Sequence, residues 1–245
     1  DTFMCLMYTN HLAAYRKSIV DEIGGLRSEF DGAQDYDMTL RFIEKTNRIA
    51  HIPKVLYHWR QQPNSVAADI DAKPYVKEAM LRLKEDALKR RGIEGDVVYV
   101  PEVSQYRVVY KPVNEPLVSI VIPSKDNYAV YERCITSLVE KTLYKNYEII
   151  TIDNGSSDEN KTKYRQLCDK TGAVYQYQKR DFNFSVMCNM GAESANGEFL
   201  LFLNDDMEII DGSWLGIMVG QAMQKHTGAV GAKLLYPEST AIQHC

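Results

Sequence analysis

Acidic residues follow three apolar stretches of this chain, at the points where each stretch turns polar. The apolar stretches cover residues 118–122, 148–152 and 199–203. The acidic residues that come after them are Asp126, Asp153, Asp205 and Asp206. Segments with helical patterns separate the stretches, which predicts a parallel sheet with crossover helices. The carboxyl ends of such strands line one crevice where ligands bind, so these carboxylates should gather at one edge.

The pair Asp205 and Asp206 is the first candidate for chemistry. Adjacent carboxylates supply the hard oxygen ligands that Mg²⁺ or Mn²⁺ prefers, with waters and substrate phosphates completing the shell. A turn with Asp as a helix cap would also explain an Asp-Asp pair on its own. Its position after a buried strand, in a sheet with other acidic strand ends, favours a metal-assisted site for a phosphate-bearing substrate.

Two further loops at strand ends could hold a nucleotide. Asp153 begins the run Asp153–Asp158, in which a turn and a capped helix explain every residue except Asp153. Function and structure explain Asp153 about equally well, since its carboxylate could accept hydrogen bonds from a ribose or a base. The loop Pro123–Asn127 is placed to hold a base. No Gly-x-Gly-x-x-Gly or P-loop pattern occurs, which disfavours dinucleotide and P-loop sites.

Polar residues near the start of the chain are weaker candidates. Asp37 lies four residues before Arg41, the spacing of an ion pair across one helical turn. A functional Asp35 would be a general base that takes a proton from an attacking hydroxyl, although this segment alone favours a helix cap. His58, beside Trp59 and Arg60, is by itself more typical of a structural side chain than of a ligand.

Composition excludes several classes of protein. The 245 residues carry a net charge of −4, which disfavours a nucleic-acid partner that needs a broad basic face. No apolar run approaches the roughly 20 residues that span a bilayer. The five cysteines are scattered without a Cys-x-x-Cys pair, so reduced thiols in the cytoplasm are expected rather than a zinc site or disulfides.

The periodicity of apolar residues predicts the elements that position these side chains. In the first part we expect helices at 16–23, 35–44 and 74–91, a strand within 49–57, and a hairpin of 97–100 with 106–110. From residue 117 we expect strands at 118–122, 148–152, 173–177, 198–203 and 228–234. Helices at 129–141, 158–169, 185–195 and 213–224 should alternate with them. The prediction is a doubly wound α/β sheet.

Together these segments resemble glycosyltransferase family 2, whose members have the GT-A fold. The resemblance is carried by Val118–Pro123, Ile152–Asp158, Asn189–Gly191, Gly197–Asp206, Trp214–Leu215 and Gly228–Pro237. Each segment alone is weak, but the combination is specific and covers residues 117–245. The expected fold is therefore α/β, a GT-A (Rossmann-like), mostly parallel sheet with helices on both faces.

The resemblance implies a role for each candidate residue. Asp35 would be the catalytic base, with Gln34 departing from the more usual Glu before it. The substrate-binding residues would be Pro123, Ser124, Lys125, Asp126, Asp153, Asp205, His58 and Arg60. The ligands of a divalent metal, Mn²⁺ or Mg²⁺, would be Asp206, Asp205 and His58.

The implied reaction moves a sugar from a nucleoside-diphosphate sugar, a UDP-sugar above all, to an acceptor hydroxyl by metal-dependent inverting displacement. The acceptor would be a glycan or a lipid-linked molecule in bacterial polysaccharide biosynthesis. The enzyme would act in the cytoplasm or on the inner face of the membrane. The alternative is a non-catalytic half-domain that binds nucleotide weakly or serves in assembly. A nucleotidyltransferase is a weaker third reading, because the loop after residue 122 is not glycine-rich.

The order of the matching segments is reversed relative to the family. Residues 1–63 resemble the C-terminal half, which carries the acceptor site and the catalytic base, through Ile23–Leu26, Gly32–Arg41 and His51–Arg60. Residues 64–116 would be a helical connector with short strands, and residues 117–245 the nucleotide-sugar-binding half. We therefore expect a segment of a tandem-domain enzyme. Its halves could complete one domain in permuted order within a chain, or in a swapped homodimer.

Overall fold

A computed structural model describes residues 2–9, 12–58, 74–237 and 241–244. The chain divides into two compact units, a first unit of Asp1–Tyr110 and a second unit of Lys111–Cys245. The residues predicted to be a connector up to Tyr110 thus belong to the first unit. The assignment of the segments to two halves of a family domain stays a prediction, and so does their assembly within a chain or a swapped dimer.

The first unit contains four α-helices, two short 3-10 helices (Ser28–Phe30 and Pro101–Val103) and one hairpin among its described residues. The helices are α1 (Thr2–Cys5), α2 (Lys17–Glu22), α3 (Gln34–Ile43) and α4 (Pro74–Arg91). The strands β1 (Gly95–Val100) and β2 (Gln105–Tyr110) pair antiparallel. The three predicted helices and the hairpin are confirmed. The chain leaves α2 through Gly24, whose φ of 81° is a left-handed conformation that glycine adopts without strain.

The helix α4 packs on the N-terminal segment. Its buried residues recur at helical spacing, and they include Ala79, Leu83 and Ala87. These side chains share one apolar cluster with Tyr36 and Leu40 of α3. The helix predicted to connect two domains is therefore part of the core of the first unit.

The strand predicted within 49–57 is wrong, because these residues form no regular secondary structure. Val55 is 91% exposed and Leu56 is 66% exposed. Alternating apolar residues make a strand only where a neighbouring strand can accept their hydrogen bonds, and Pro53 removes one donor. Among the described residues no strand pairs with this segment.

A lysine is buried in the core of the first unit. Lys84 is fully buried, and its Nζ donates to the Met4 carbonyl at 2.5 Å and to the Tyr36 hydroxyl at 2.8 Å. The ammonium also lies 4.3 Å from the centroid of the Tyr36 ring, a cation–π contact. Desolvation by burial lowers the pKa of Lys84 to about 8, against a smaller opposing effect of Cys5.

This burial predicts that the first unit becomes more stable as the pH rises from 7.5 to 9.5. The unfolded lysine, with a pKa near 10.4, binds more protons in this pH range than the folded one. The free energy of unfolding therefore rises with pH. The gain in the free energy of unfolding should be about 2 kcal/mol in urea denaturation followed by circular dichroism. Lys84→Met should abolish this gain, whereas Lys89→Met on the exposed face of α4 should keep it. The prediction would be contradicted if the free energy of unfolding changed equally with pH in the wild type, Lys84→Met and Lys89→Met.

The second unit is built on a parallel four-stranded sheet. Its strands are β3 (Val118–Ser124), β4 (Tyr147–Asp153), β5 (Val174–Tyr177) and β6 (Phe199–Phe202), in the order β5-β4-β3-β6. The helices between and after them are α5 (Tyr128–Lys141), α6 (Asp158–Thr171), α7 (Phe184–Glu193) and α8 (Trp214–Ala222). In register, Ile120 of β3 lies beside Ile149 of β4 and Leu201 of β6.

Helices cover both faces of this sheet. Ile120 and Ile122 of β3 pack in one apolar cluster with α5, α6 and α8. Val121 points the other way and packs with Met187 of α7. A Cβ on Gly191 of α7 would lie 2.2 Å from the Val121 side chain, so this close contact requires glycine. The predicted α/β class, with a mostly parallel sheet between helices, is confirmed.

The strand predicted at 228–234 is wrong for most of its length. Only Leu234–Leu235 (β7) pairs, and its partner is Ile242–His244 (β8), in an antiparallel ladder outside the main sheet. Gly228 and Gly231 interrupt the apolar run, and glycine weakens a strand because it has no side chain to pack. Among the described residues no helix is long and apolar enough to cross a membrane.

Candidate functional site

A cavity of about 480 Å³ opens at the carboxyl ends of β3 and β6. One wall is the loop Pro123–Asn127 that follows β3, and another is Asn204–Asp206 after β6. The beginning of α7 contributes Phe184 and Met187, with Phe182 just before it. This volume lies in the range of small-molecule sites. The predicted gathering of strand ends around one crevice holds for the loops after β3 and β6.

The two adjacent carboxylates in the cavity differ in their surroundings. Asp205 is half-buried, and its Oδ2 accepts hydrogen bonds from the Ser124 hydroxyl at 2.5 Å and from Asn127 Nδ2 at 3.3 Å. Asp206 is exposed beside it. One carboxylate is thus held in place by the loop after β3, while the other is open to the cavity.

Asp126 contacts the beginning of α6. Its Oδ1 accepts hydrogen bonds from Asn160 Nδ2 at 3.0 Å and from the Ser157 amide and hydroxyl at 2.9 Å each. These bonds, that of Asn160 first, lower the pKa of Asp126 although it is exposed. Its backbone adopts a φ of 50°. Asp126 thus joins the loop after β3 to the loop after β4, and its contact with substrate stays a prediction.

Asp153 is fully buried at the end of β4. Its Oδ1 accepts from the amides of Gly155 and Ser156 at 3.1 and 2.8 Å. The Tyr175 hydroxyl donates to Oδ2 at 2.5 Å. Asp153 is not among the residues that line the cavity, and its carboxylate stabilises the turn into α6. Its binding of a base or ribose stays a prediction.

The remaining predicted residues with described positions lie in the first unit. Asp35 is half-buried in the first turn of α3, where its Oδ1 accepts from the Tyr36 amide at 2.9 Å. Gln34, which replaces the more usual Glu, accepts from the Gly32 amide at 2.7 Å. His58 is exposed, and Arg60 lies outside the described residues. The catalytic role of Asp35 stays a prediction.

The predicted pair of Asp37 and Arg41 is confirmed as part of a buried ion network. Asp37 is fully buried and accepts from Arg41 at 2.7 Å and from Arg27 Nε at 3.0 Å. Burial raises the pKa of Asp37, but the hydrogen bonds from Arg27 and Arg41 outweigh it, so the net pKa is lowered. Asp37 therefore acts as a structural anion.

In the second unit, protein side chains could supply only part of the coordination shell of a divalent metal. In the ranges that the structure describes, no three His, Cys, Asp or Glu side chains gather to hold an ion. Asp205 and Asp206 are hard oxygen donors at the edge of a cavity with room for a ligand. Mg²⁺ and Mn²⁺ sites of this kind use one or two carboxylates and complete the shell with phosphates and water.

Three functional features were missed by the sequence analysis. Tyr164 of α6 is fully buried and hydrogen-bonded to Ser124 at 2.6 Å, and Asn127 is the second donor to Asp205. Phe182 lines the cavity although it is 70% exposed. Tyr164 lies within the helix predicted at 158–169, but no sequence signal gave the partner of the tyrosine hydroxyl.

Known proteins resemble this chain along its whole length. It is 39% identical over 249 residues to the uncharacterized protein y4gI of Sinorhizobium fredii, and covers 27% of that protein. It is 36% identical over 244 residues to the O-antigen biosynthesis protein RfbC of Myxococcus xanthus, and covers 19% of it. Both similarities include 100% of this chain. The chain thus spans about a quarter and about a fifth of these relatives.

Two further similarities concern part of the chain. A Campylobacter jejuni GalNAc(5)-diNAcBac-PP-undecaprenol beta-1,3-glucosyltransferase is 26% identical over 125 residues, covering 50% of this chain and 40% of that enzyme. Among solved structures, the mannosyltransferase PcManGT of Pyrobaculum calidifontis, in complex with GDP-Man and Mn²⁺, aligns with a TM-score of 0.42 at 16% identity. This alignment covers 47% of this chain and 34% of PcManGT.

The family assignment rests on the second unit. The model of the family described as "Glycosyl transferase family 2" matches residues 119–243, about half of the chain. The match contains the whole parallel sheet except its first residue, together with Asp126, Asp153, Asp205 and Asp206. The chain therefore belongs to glycosyl transferase family 2.

Proposed function

We propose that the second unit binds a nucleoside-diphosphate sugar, a UDP-sugar in the first instance, together with Mn²⁺ or Mg²⁺. The observation that supports this most is the cavity at the strand ends, where Asp205 is anchored by Ser124 and Asn127 and Asp206 is exposed. Asp206 and Asp205 would hold the metal. The bound cation would supply positive charge that stabilises the departing diphosphate.

In the complete enzyme we expect a single displacement with inversion at the anomeric carbon. The acceptor oxygen forms the new bond to that carbon as the bond to the diphosphate oxygen breaks, and the nucleoside diphosphate leaves with the electron pair. Asp35, half-buried in the first turn of α3, would take the proton of the acceptor hydroxyl. In the tandem arrangement, His58 and Arg60 would contact the metal and the diphosphate of the domain to which Asp35 belongs.

The relatives support a role in polysaccharide biosynthesis. The similarity to the O-antigen protein of Myxococcus xanthus includes every part of this chain in the same order, so its two segments also follow one another within a longer protein. This supports the proposed tandem arrangement. The Campylobacter enzyme acts on an undecaprenol-linked glycan by its name, which favours a lipid-linked acceptor and action at the inner face of the membrane.

A second candidate is a nucleotide-binding half without catalysis by itself. The observation that favours it is that Asp35 belongs to the first unit, whereas Asp205 and Asp206 belong to the second. Titration calorimetry with UDP, with and without Mn²⁺, tests the donor site. We expect UDP binding that Mn²⁺ strengthens, and binding indifferent to Mn²⁺ would contradict the proposal. Transfer of labelled sugar by the full-length parent, but not by this chain, would favour the non-catalytic half.

A further inference from the structure

The buried hydroxyl of Tyr164 is hydrogen-bonded to Ser124 and Asn127, the two described residues that donate to Asp205. Tyr164 of α6 is fully buried, and its hydroxyl lies 2.6 Å from Ser124 Oγ. The same hydroxyl accepts a hydrogen bond from the backbone amide of Asn127 at 3.1 Å. Ser124 Oγ and Asn127 Nδ2 are in turn the two groups that donate to Asp205 Oδ2.

The chemistry of the groups fixes the direction of these bonds. The Asn127 amide can only donate and the Asp205 carboxylate accepts, so Ser124 gives its proton to Asp205 and receives that of Tyr164. Burial raises the pKa of Tyr164, which keeps the hydroxyl protonated at neutral pH. Each member of such a chain polarises the next, which strengthens the last bond to the carboxylate.

The ring of Tyr164 is itself held by neighbouring aromatic rings. Its centroid lies 4.8 Å from that of Tyr131 and 5.7 Å from that of Tyr128, with tilted and edge-on geometry. The hydroxyl is therefore fixed by packing on α5 as well as by its hydrogen bonds. Loss of the hydroxyl alone would leave this packing in place.

We propose that Tyr164 is a positioning residue for the metal and sugar-nucleotide site. It sets the orientation of the Asp205 carboxylate through Ser124 and Asn127, without touching the ligand itself. The inference rests on the proposed donor site. It adds a residue of α6, remote in sequence from both loops, to the set that determines metal affinity.

The test is calorimetric titration of Mn²⁺ and UDP into Tyr164→Phe. The loss of a single hydrogen bond predicts an affinity for UDP in the presence of Mn²⁺ that is about three- to tenfold weaker. Binding of UDP measured without metal should not change, because the relay acts on a metal ligand. A merely structural role would weaken both titrations or neither.

Tyr131→Phe is the matched control. Tyr131 is equally buried, and its hydroxyl lies 2.7 Å from Thr151 Oγ1 and 3.3 Å from Cys168 Sγ, away from the cavity. Tyr131→Phe should lose about as much thermal stability as Tyr164→Phe but keep the wild-type affinity for UDP in the presence of Mn²⁺. Equal metal-dependent affinities of Tyr164→Phe and Tyr131→Phe would overturn the proposal.

A double-mutant cycle of Tyr164→Phe with Ser124→Ala tests whether Tyr164 acts on Asp205 through Ser124. Because Tyr164 acts partly through Ser124, the two losses of affinity should be less than additive, and full additivity would count against the relay. If Tyr164→Phe does not fold, Ser124→Thr, which keeps the hydroxyl, should bind more tightly than Ser124→Ala. Wild-type protein that shows no metal-dependent binding would refute the proposed donor site, and the positioning role with it.

Discussion

Asp206→Asn should abolish the metal-dependent part of nucleotide binding. Asp206 is the exposed member of the carboxylate pair that we propose to hold the cation, whereas Oδ2 of its partner Asp205 already accepts two hydrogen bonds. Loss of an outer-shell partner costs about 10- to 100-fold in metal affinity, so loss of a direct ligand should cost at least about 100-fold. Calorimetric titration of UDP at fixed Mn²⁺ measures this loss.

The control for this substitution is Asp169→Asn. Asp169 is an exposed residue of α6 that does not line the cavity, so its replacement makes the same change in net charge away from the site. It should bind UDP and Mn²⁺ as the wild type does. The metal site would be wrongly placed if Asp206→Asn retained metal-dependent affinity, or if both variants lost it equally.

Much of the second unit could be predicted from the sequence because its periodicity and its topology agree. Segments with helical patterns separate the apolar runs that form β3, β4 and β6, and a parallel sheet then places the strand ends together. The pattern therefore placed Asp205 and Asp206 at the carboxyl edge of the sheet without any knowledge of their contacts.

The two strand predictions that the structure contradicts have a common cause, which the local sequence pattern does not contain. Residues 49–57 and 228–234 carry apolar residues at suitable spacing, but a strand exists only where another strand accepts its hydrogen bonds. In the part of the chain that the structure describes, the first segment has no such partner and the second has one only at Leu234–Leu235. Pairing is a property of the fold, not of the segment.

The hydrogen bonds within the site could not be predicted from the sequence either. Tyr164 lies 40 residues from Ser124, and Asn160 lies 34 residues from Asp126, yet each pair is joined by a hydrogen bond. The pattern of α6 predicted only a helix at 158–169. It could not tell that a buried tyrosine would reach a serine that lines the cavity, or that the exposed Asp126 would also contact the beginning of the helix.

The spacing predicted the pairing of Asp37 with Arg41 but not with Arg27, and substitution of Asp37 should have the largest effect on stability. Asp37→Asn removes the anion that faces Arg27 and Arg41, and Arg41 is additionally held by the carbonyls of Ile23 and Gly25 at 2.5 and 2.6 Å. Breaking a buried ion pair by removal of one partner costs about 3–5 kcal/mol, and the partial exposure of Arg27 argues for the lower end. Urea denaturation at pH 7 measures the loss.

The pH dependence gives this prediction a second, independent test. The folded pKa of Asp37 is lowered, so its contribution to stability is present above the unfolded pKa of about 3.9 and is lost as the pH falls through the folded value. The difference in unfolding free energy between wild type and Asp37→Asn should therefore shrink as the pH falls below about 4. Asp86→Asn, at a more exposed partner of Arg27, should cost less than about 1 kcal/mol. Equal losses for Asp37→Asn and Asp86→Asn would show that burial of the anion does not determine the stability of this network.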